Sequence, residues 1–266
     1  PDIGGSRASM CLMAAETLGV DYDDVRAQVG DTESTGFCNV TGGSRTTFAT
    51  GMAVTQACEA VIADCKRRAA MTWGLDEDQV EWEDGQAIPG PGVNADVKPL
   101  SLAELARKAG KTGGPITARA SLNAQGAGAA FSVNFGDLRV DRETGKVDVL
   151  SYTAIQDAGK AIHPAYVEGQ MQGGAAQGIG WALNEEYIFD DMGVLENAGF
   201  LDYRIPVASD LPMIDTEIVE VPNPSHPFGV RGVGETPIVA PLGVCANVVS
   251  RSLDMRITDL PLSPPR

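Results

Sequence analysis

Between Glu168 and Gly180 the sequence reads Glu-Gly-Gln-Met-Gln-Gly-Gly-Ala-Ala-Gln-Gly-Ile-Gly, and its flanks give it a helical context although five of these thirteen residues are glycine. Each glycine costs a helix roughly 1 kcal/mol relative to alanine, so a helix forms here only if something lying close to its backbone offsets that loss. Two things could do so: a neighbouring helix filling the space of the missing Cβ atoms, or a ligand laid against them. Gln170 and Gln177, seven residues apart, fall on one helix face, either presenting amides to a buried polar partner or simply solvated on a packing helix.

The chain has 266 residues, 31 of them glycine and only 2 histidine, with Lys plus Arg at 20 against Asp plus Glu at 36. The resulting net charge of −16 repels nucleic-acid phosphate and anionic lipid, so any anionic ligand must be held locally by backbone N–H groups and a few placed cations. No apolar run approaches the roughly 18 residues that suggest a membrane span. Pro1–Gly4 carries no signal-peptide features, and the five cysteines form no C-x-x-C pair, so a reduced, cytoplasmic setting is expected.

Helical spacing runs from Ser6 to Leu18 with Gly19 as a C-cap, and from about Thr46 to Trp73 with Gly74 as a C-cap. Val25–Val29 reads as a short strand. Asp84-Gly85 between two alternating runs predicts a hairpin, and Ser101 with Glu104 predicts a capping box. Lys111–Pro115 reads as a linker between two lobes, residues 1–114 and 115–266. Beyond it come strands at 130–135, 138–140 and 147–154, further strands at Tyr187–Phe189 and Ile218–Glu220, and a last helix with Thr236 as N-cap and Pro237 in its first turn. Strands and helices mix without strict alternation, which gives an α+β class with mixed sheets and long Gly-rich helices.

Two Gly-Ser-Arg triplets precede helices, at Gly5-Ser6-Arg7 and Gly43-Ser44-Arg45. Exposed N–H groups at a helix start together with a guanidinium suit an anion, although capping alone would also explain either triplet. Gly110-Lys111-Thr112 ends like a P-loop but has Leu105 where the first glycine belongs, and Gln125–Ala130 lacks the dinucleotide fingerprint. His163 and His226 each adjoin proline and read as local hydrogen-bonding residues. In Gly232-Val233-Gly234-Glu235 a single carboxylate is delivered at the start of an apolar helix; partly buried there, it could act as a general base, a role worth roughly 10²- to 10⁴-fold in rate.

Together these residues resemble the molybdenum-binding subunit of the xanthine dehydrogenase and aldehyde oxidase family, over almost the whole chain. Gly232–Glu235 resembles the family's catalytic motif. Asp157-Ala158-Gly159-Lys160 through Gln170, continued by Gln177, resembles the loop and helix that clasp the dinucleotide form of the pterin, and Gly43-Ser44-Arg45-Thr46 resembles a second cofactor loop. Ile257–Leu262 with Pro264 is similar to the family's usual carboxyl-terminal end. The chain departs from the family at Asp2–Ser6, one residue shorter than the usual Gln-Gly-x-Gly loop, and at His163, where asparagine is usual. Family subunits are also far longer.

The resemblance implies a second molybdopterin-binding domain whose lobes form half of a cofactor cleft. Glu235 would be the catalytic base, and Gly4, Gly5, Ser6, Arg7, Gly43, Ser44, Arg45, Thr46, Asp157, Ala158, Gly159, Lys160, Gln170, Gln177, Gly232, Val233 and Gly234 would surround molybdopterin cytosine dinucleotide. The metal would be held by the pterin dithiolene, with no direct protein ligand. The implied reaction is hydroxylation of an electron-poor carbon using water, with electrons leaving to [2Fe-2S] and FAD on partner chains. A further partner would be the chain carrying the first molybdopterin-binding domain. A non-catalytic scaffold subunit and a free-standing anion-binding module are the alternatives.

Overall fold

A computed structural model describes residues 3, 5–33, 36–93, 96–126 and 129–264. The chain divides into two compact units: one comprises Pro1–Thr41, Arg45–Ala127 and His226–Phe228, the other Gly42–Ser44, Gly128–Ser225 and Gly229–Arg266. Each exchanges a three-residue segment with the other in sequence.

In the first unit, α1 (Ser6–Leu18) packs along α2 (Gly51–Trp73), which is preceded by a π-helical turn at Thr46–Thr50. Both helices stop as the sequence predicts, at left-handed Gly19 (φ 70°) and Gly74 (φ 72°). Gly19 also permits close docking: a Cβ there would lie 2.5 Å from the backbone nitrogen of Gly85 in the hairpin turn. The hairpin of β1 (Val80–Glu83) and β2 (Gln86–Pro89) adds β3 (Leu100–Ser101) antiparallel, and the Ser101/Glu104 capping box starts α3 (Leu102–Arg107). Its core gathers Cys65, Ala69, Val80, Ala87, Leu100 and Leu105.

Two sequence expectations fail in this unit. Val25–Val29 keeps a half-buried, exposed alternation but no strand forms there among the described residues, because no partner strand accepts its backbone. Lys111–Pro115, expected to link two lobes, lies inside the first unit, and the division falls instead after Ala127. Buried Arg68 pairs with Asp64 (2.7 Å) and donates to the Thr112 hydroxyl (3.3 Å) and to the carbonyls of Gly114 and Pro115, fixing the segment to α2.

In the second unit, β4 (Ser132–Val140) pairs antiparallel with β5 (Val147–Asp157), and β5 pairs in parallel with β6 (Ile214–Val219), so this sheet is mixed. β4 is one strand with a register shift at Asp137/Leu138, rather than the two runs read from sequence. Gly136 does not break it; the position faces the Tyr152 ring and Val244, where a Cβ would meet atoms at 2.9 to 3.2 Å. Along β5, Tyr152, Ala154 and Gln156 point inward with the period of two that a half-covered sheet requires.

Two helices make the second layer, α4 (Pro164–Leu183) and α5 (Thr236–Leu253). Their contact explains part of the glycine content. Gly174 opposes Pro237 and Gly178 opposes Pro241, both one helical turn apart, with Cβ positions that would fall 2.5 Å and 2.9 Å from the proline rings. The start of α5 differs by one residue from expectation, since Glu235 is its N-cap and Thr236 its first helical residue. Tyr187–Phe189 forms only an isolated bridge, Phe189 to Leu195. No helix among the described residues is long and apolar enough to cross a membrane.

Candidate functional site

Within the second unit, Glu235 stands at the mouth of α5 and is held by the loop Gly42–Ser44 from far away in sequence. The Gly43 amide donates to Glu235 Oε1 (3.0 Å), and the Glu235 amide donates to Ser44 Oγ (2.8 Å). Gly232 and Gly234 let the two loops meet, because a Cβ on Gly232 would lie 2.9 Å from Ser44 Cβ and one on Gly234 3.0 Å from Gln170 Oε1. Thus Gly43, Ser44, Gln170, Gly232, Gly234 and Glu235 do come together, with Val233 half-buried between them. Glu235, expected from the sequence to be partly buried, is exposed within this chain, and the glycines make room for the Ser44 loop.

Gln156 carries this arrangement from beneath. It is 1% exposed, and its Nε2 donates toward the carbonyls of Gly232 (3.4 Å) and Val233 (3.2 Å) while Oε1 has no partner. Sequence reasoning missed it, although its inward phase with Tyr152 and Ala154 marks a polar side chain at an apolar position.

The loop after β5 is tied mainly to its own unit. Asp157 accepts from the amides of Gly159 (2.9 Å) and Val221 (3.1 Å) and pairs with Arg231 (3.1 Å), a partner not singled out beforehand. Ala158 and Gly159 are buried, and a Cβ at Gly159 would fall 2.3 Å from the Gly229 carbonyl oxygen. Lys160 is exposed and paired with Glu220 (3.1 Å), so its charge is shared within the protein. The Ala161 amide, and after it Lys160, hold the Glu220 carboxyl below its ordinary range.

α4 has two glycine faces. Gly174 and Gly178 are buried against α5, whereas Gly169 and Gly173 are exposed with nothing within 4 Å of a Cβ position, and Gln177 is exposed beside them. At the helix start, His163 stacks on Tyr166 (centroids 3.9 Å apart), and its buried Nδ1 has no partner.

The remaining candidates belong to the first unit. Gly5 caps α1 in the left-handed region, and the Ser6 hydroxyl accepts from the Ile3 amide (3.1 Å) while Arg7 is exposed. Arg45 is the N-cap of the π turn, and Thr46 Oγ1 is buried there without a partner. Gly4 lies outside the described residues. His226 is in the same unit, 5% exposed against Phe48, its Nδ1 accepting from the Phe228 amide (3.0 Å). Burial lowers its pKa, opposed by the Phe48 backbone. Among the described residues no three His, Cys, Asp or Glu side chains lie together as a metal site.

Residues 1–212 match the molybdopterin cofactor-binding domain family. The xanthine dehydrogenase molybdenum-binding subunit of Escherichia coli O157:H7 is 33% identical over 268 residues, covering 98% of this chain and 35% of that protein. Among solved structures, quinoline 2-oxidoreductase from Pseudomonas putida 86 superposes with a TM-score of 0.83 at 30% identity, covering 99% of this chain and 34% of its own. The Cu,Mo-CO dehydrogenase superposes with a TM-score of 0.87 at 25% identity, covering 98% and 34%. The chain therefore spans about a third of the length of these relatives.

Proposed function

The chain belongs to the molybdopterin cofactor-binding domain family, and from that premise we propose that it works within a molybdenum hydroxylase that oxidises an electron-poor carbon of an N-heterocycle or aldehyde. The relatives named for xanthine and quinoline, both N-heterocycles, support this reaction class. The observation that carries the assignment to this chain is the clasp on Glu235, where a backbone amide fixes Oε1 and the N-cap position fixes the main chain.

The residues fit a large phosphate-bearing pterin. Gly42 and Gly43, and on α4 Gly169 and Gly173, leave backbone open to close approach, and Thr46 Oγ1 and His163 Nδ1 are polar atoms without partners. Within the second unit Gly43, Ser44 and Gln170 would line the cofactor beside Glu235, with Gln177 on the same helix, α4. Asp157, Ala158 and Gly159 would shape the loop that receives it, with Lys160 at the rim. When bound, the molybdenum cofactor, in its cytosine dinucleotide form, supplies the two-electron oxidation. Glu235 would take at Oε2 a proton from the water that supplies the hydroxyl oxygen, since Oε1 is engaged by Gly43, and the Gly43 amide keeps the carboxylate from rotating away. The electrons would leave to [2Fe-2S] and FAD centres on partner subunits, in an enzyme we place in the cytoplasm.

Replacing Glu235 by Gln in the assembled enzyme keeps the side-chain volume but removes the base. Turnover should fall by about 10²-fold or more, with molybdenum and cytidine nucleotide content unchanged. Retained turnover would remove Glu235 from the role. Absence of molybdenum from the wild-type assembly would favour a scaffold subunit instead.

A further inference from the structure

Between α4 and β6, residues 184–213 contain one isolated bridge and otherwise turns and loop, yet the segment is pinned from within. Asn197, 7% exposed, accepts from the Ile188 amide (2.9 Å) and donates to the Glu186 carbonyl (2.6 Å). Asp190 accepts from the amides of Met192 and Val194, at 2.9 and 2.8 Å. Asn197 is thus buried onto backbone and Asp190 closes its own turn at the surface, while several large apolar side chains face water: Phe200 is 98% exposed, Leu201 95%, Met192 86% and Met213 80%. An internally hydrogen-bonded loop that keeps this many large apolar side chains in water, among carboxylates, has the character of a surface made to be covered.

We infer that residues 187–213 are where the rest of the molybdenum-binding subunit packs onto this chain, an inference that rests on the hydroxylase reading above. The relatives are covered to only about a third of their length, 35% for the E. coli subunit, so most of such a subunit lies outside this sequence and needs an apolar seat. Charge selects among occupants. From Glu185 to Met213 there are seven carboxylates and a single cation, Arg204. A second copy of the chain would set this acidic segment against itself, and an anionic membrane would repel it. A polypeptide with apolar side chains and a basic rim complements both features.

Two measurements on the assembled enzyme test this. Hydroxyl-radical labelling should oxidise Met192 and Met213 at least 5-fold more slowly than in the same enzyme unfolded in urea, approaching the protection of Met13 and Met171, which are 1% and 0% exposed within this chain. Carbodiimide coupling should join Glu196 or Asp202 to lysines in the remainder of the subunit. Full labelling of both methionines, or couplings only to lysines of this sequence, would overturn the proposal. Replacing Phe200 and Leu201 together by serine should cut recovery of the assembled enzyme at least 10-fold, and undiminished recovery would likewise overturn it. Failure of the underlying reading shows separately, as a wild-type assembly without molybdenum.

Discussion

At the level of single residues, the Gly232–Glu235 loop depends on a buried side-chain amide beneath it. Gln156 supplies donors to the carbonyls of Gly232 and Val233, and nothing else among the described residues replaces them. Gln156→Leu keeps much of the volume and removes the donor. Leaving such carbonyls unpaired costs about 1 to 3 kcal/mol, which a urea titration reads as a lower midpoint at unchanged slope. Turnover should drop as well, because Glu235 is two residues from the loosened backbone; an unaltered midpoint would show that the contact contributes nothing. His226 gives a second residue-scale outcome, of defined sign. Its folded pKa lies below its ordinary value because the imidazole is buried, so below about pH 6.5 the unfolded chain binds the extra proton first. Its stabilisation is complete above that pH and is lost as pH falls toward the folded pKa. Unfolding at pH 7.5 and 5.5 should therefore show a smaller stability loss in His226→Phe than in the wild type.

The elements of secondary structure separate two uses of glycine that look identical in sequence. Gly178 faces α5, where a Cβ would fall 2.3 Å from the Ile238 carbonyl oxygen, a backbone atom that cannot swing aside. Gly178→Ala should destabilise by about 1 to 3 kcal/mol through overpacking. Gly173 is one of the open positions, so Gly173→Ala should raise the stability of the apo protein by up to roughly 1 kcal/mol through helix propensity, yet reduce the cofactor retained. Stabilisation with undiminished cofactor would mean that the open face of α4 binds nothing. This contrast also marks what the sequence could disclose. The caps at Gly19 and Gly74, the Asp84-Gly85 turn and the Ser101 capping box were legible because each depends on residues within a few positions. The lone segments Val25–Val29 and Tyr187–Phe189 were not, since a strand exists only with a partner that local pattern does not reveal. The glutamate motif was legible as a motif, but its clasp by Gly43 and Ser44 spans more than 190 positions, 192 for the Gly43 bond.

Across the whole molecule, the charge distribution decides how an anionic cofactor meets the protein. The net charge is −16, and several cations near the glycine loops are already paired: Lys160 with Glu220 and Arg231 with Asp157, while Arg68 is buried on Asp64. At long range an anionic cofactor would meet repulsion, and attraction would begin only within hydrogen-bonding reach of the loop amides. The Debye length shrinks from about 30 Å at 0.01 M salt to about 8 Å at 0.15 M, so salt removes the distant repulsion before it weakens the contacts at the loops. Cofactor insertion into the apo enzyme, followed by molybdenum content against time, should therefore accelerate as ionic strength rises over that range. A site steered by a basic patch would slow under the same change. An insertion rate that falls with salt would place unpaired cations in control and contradict the reading that backbone amides, freed by glycine, do most of the holding.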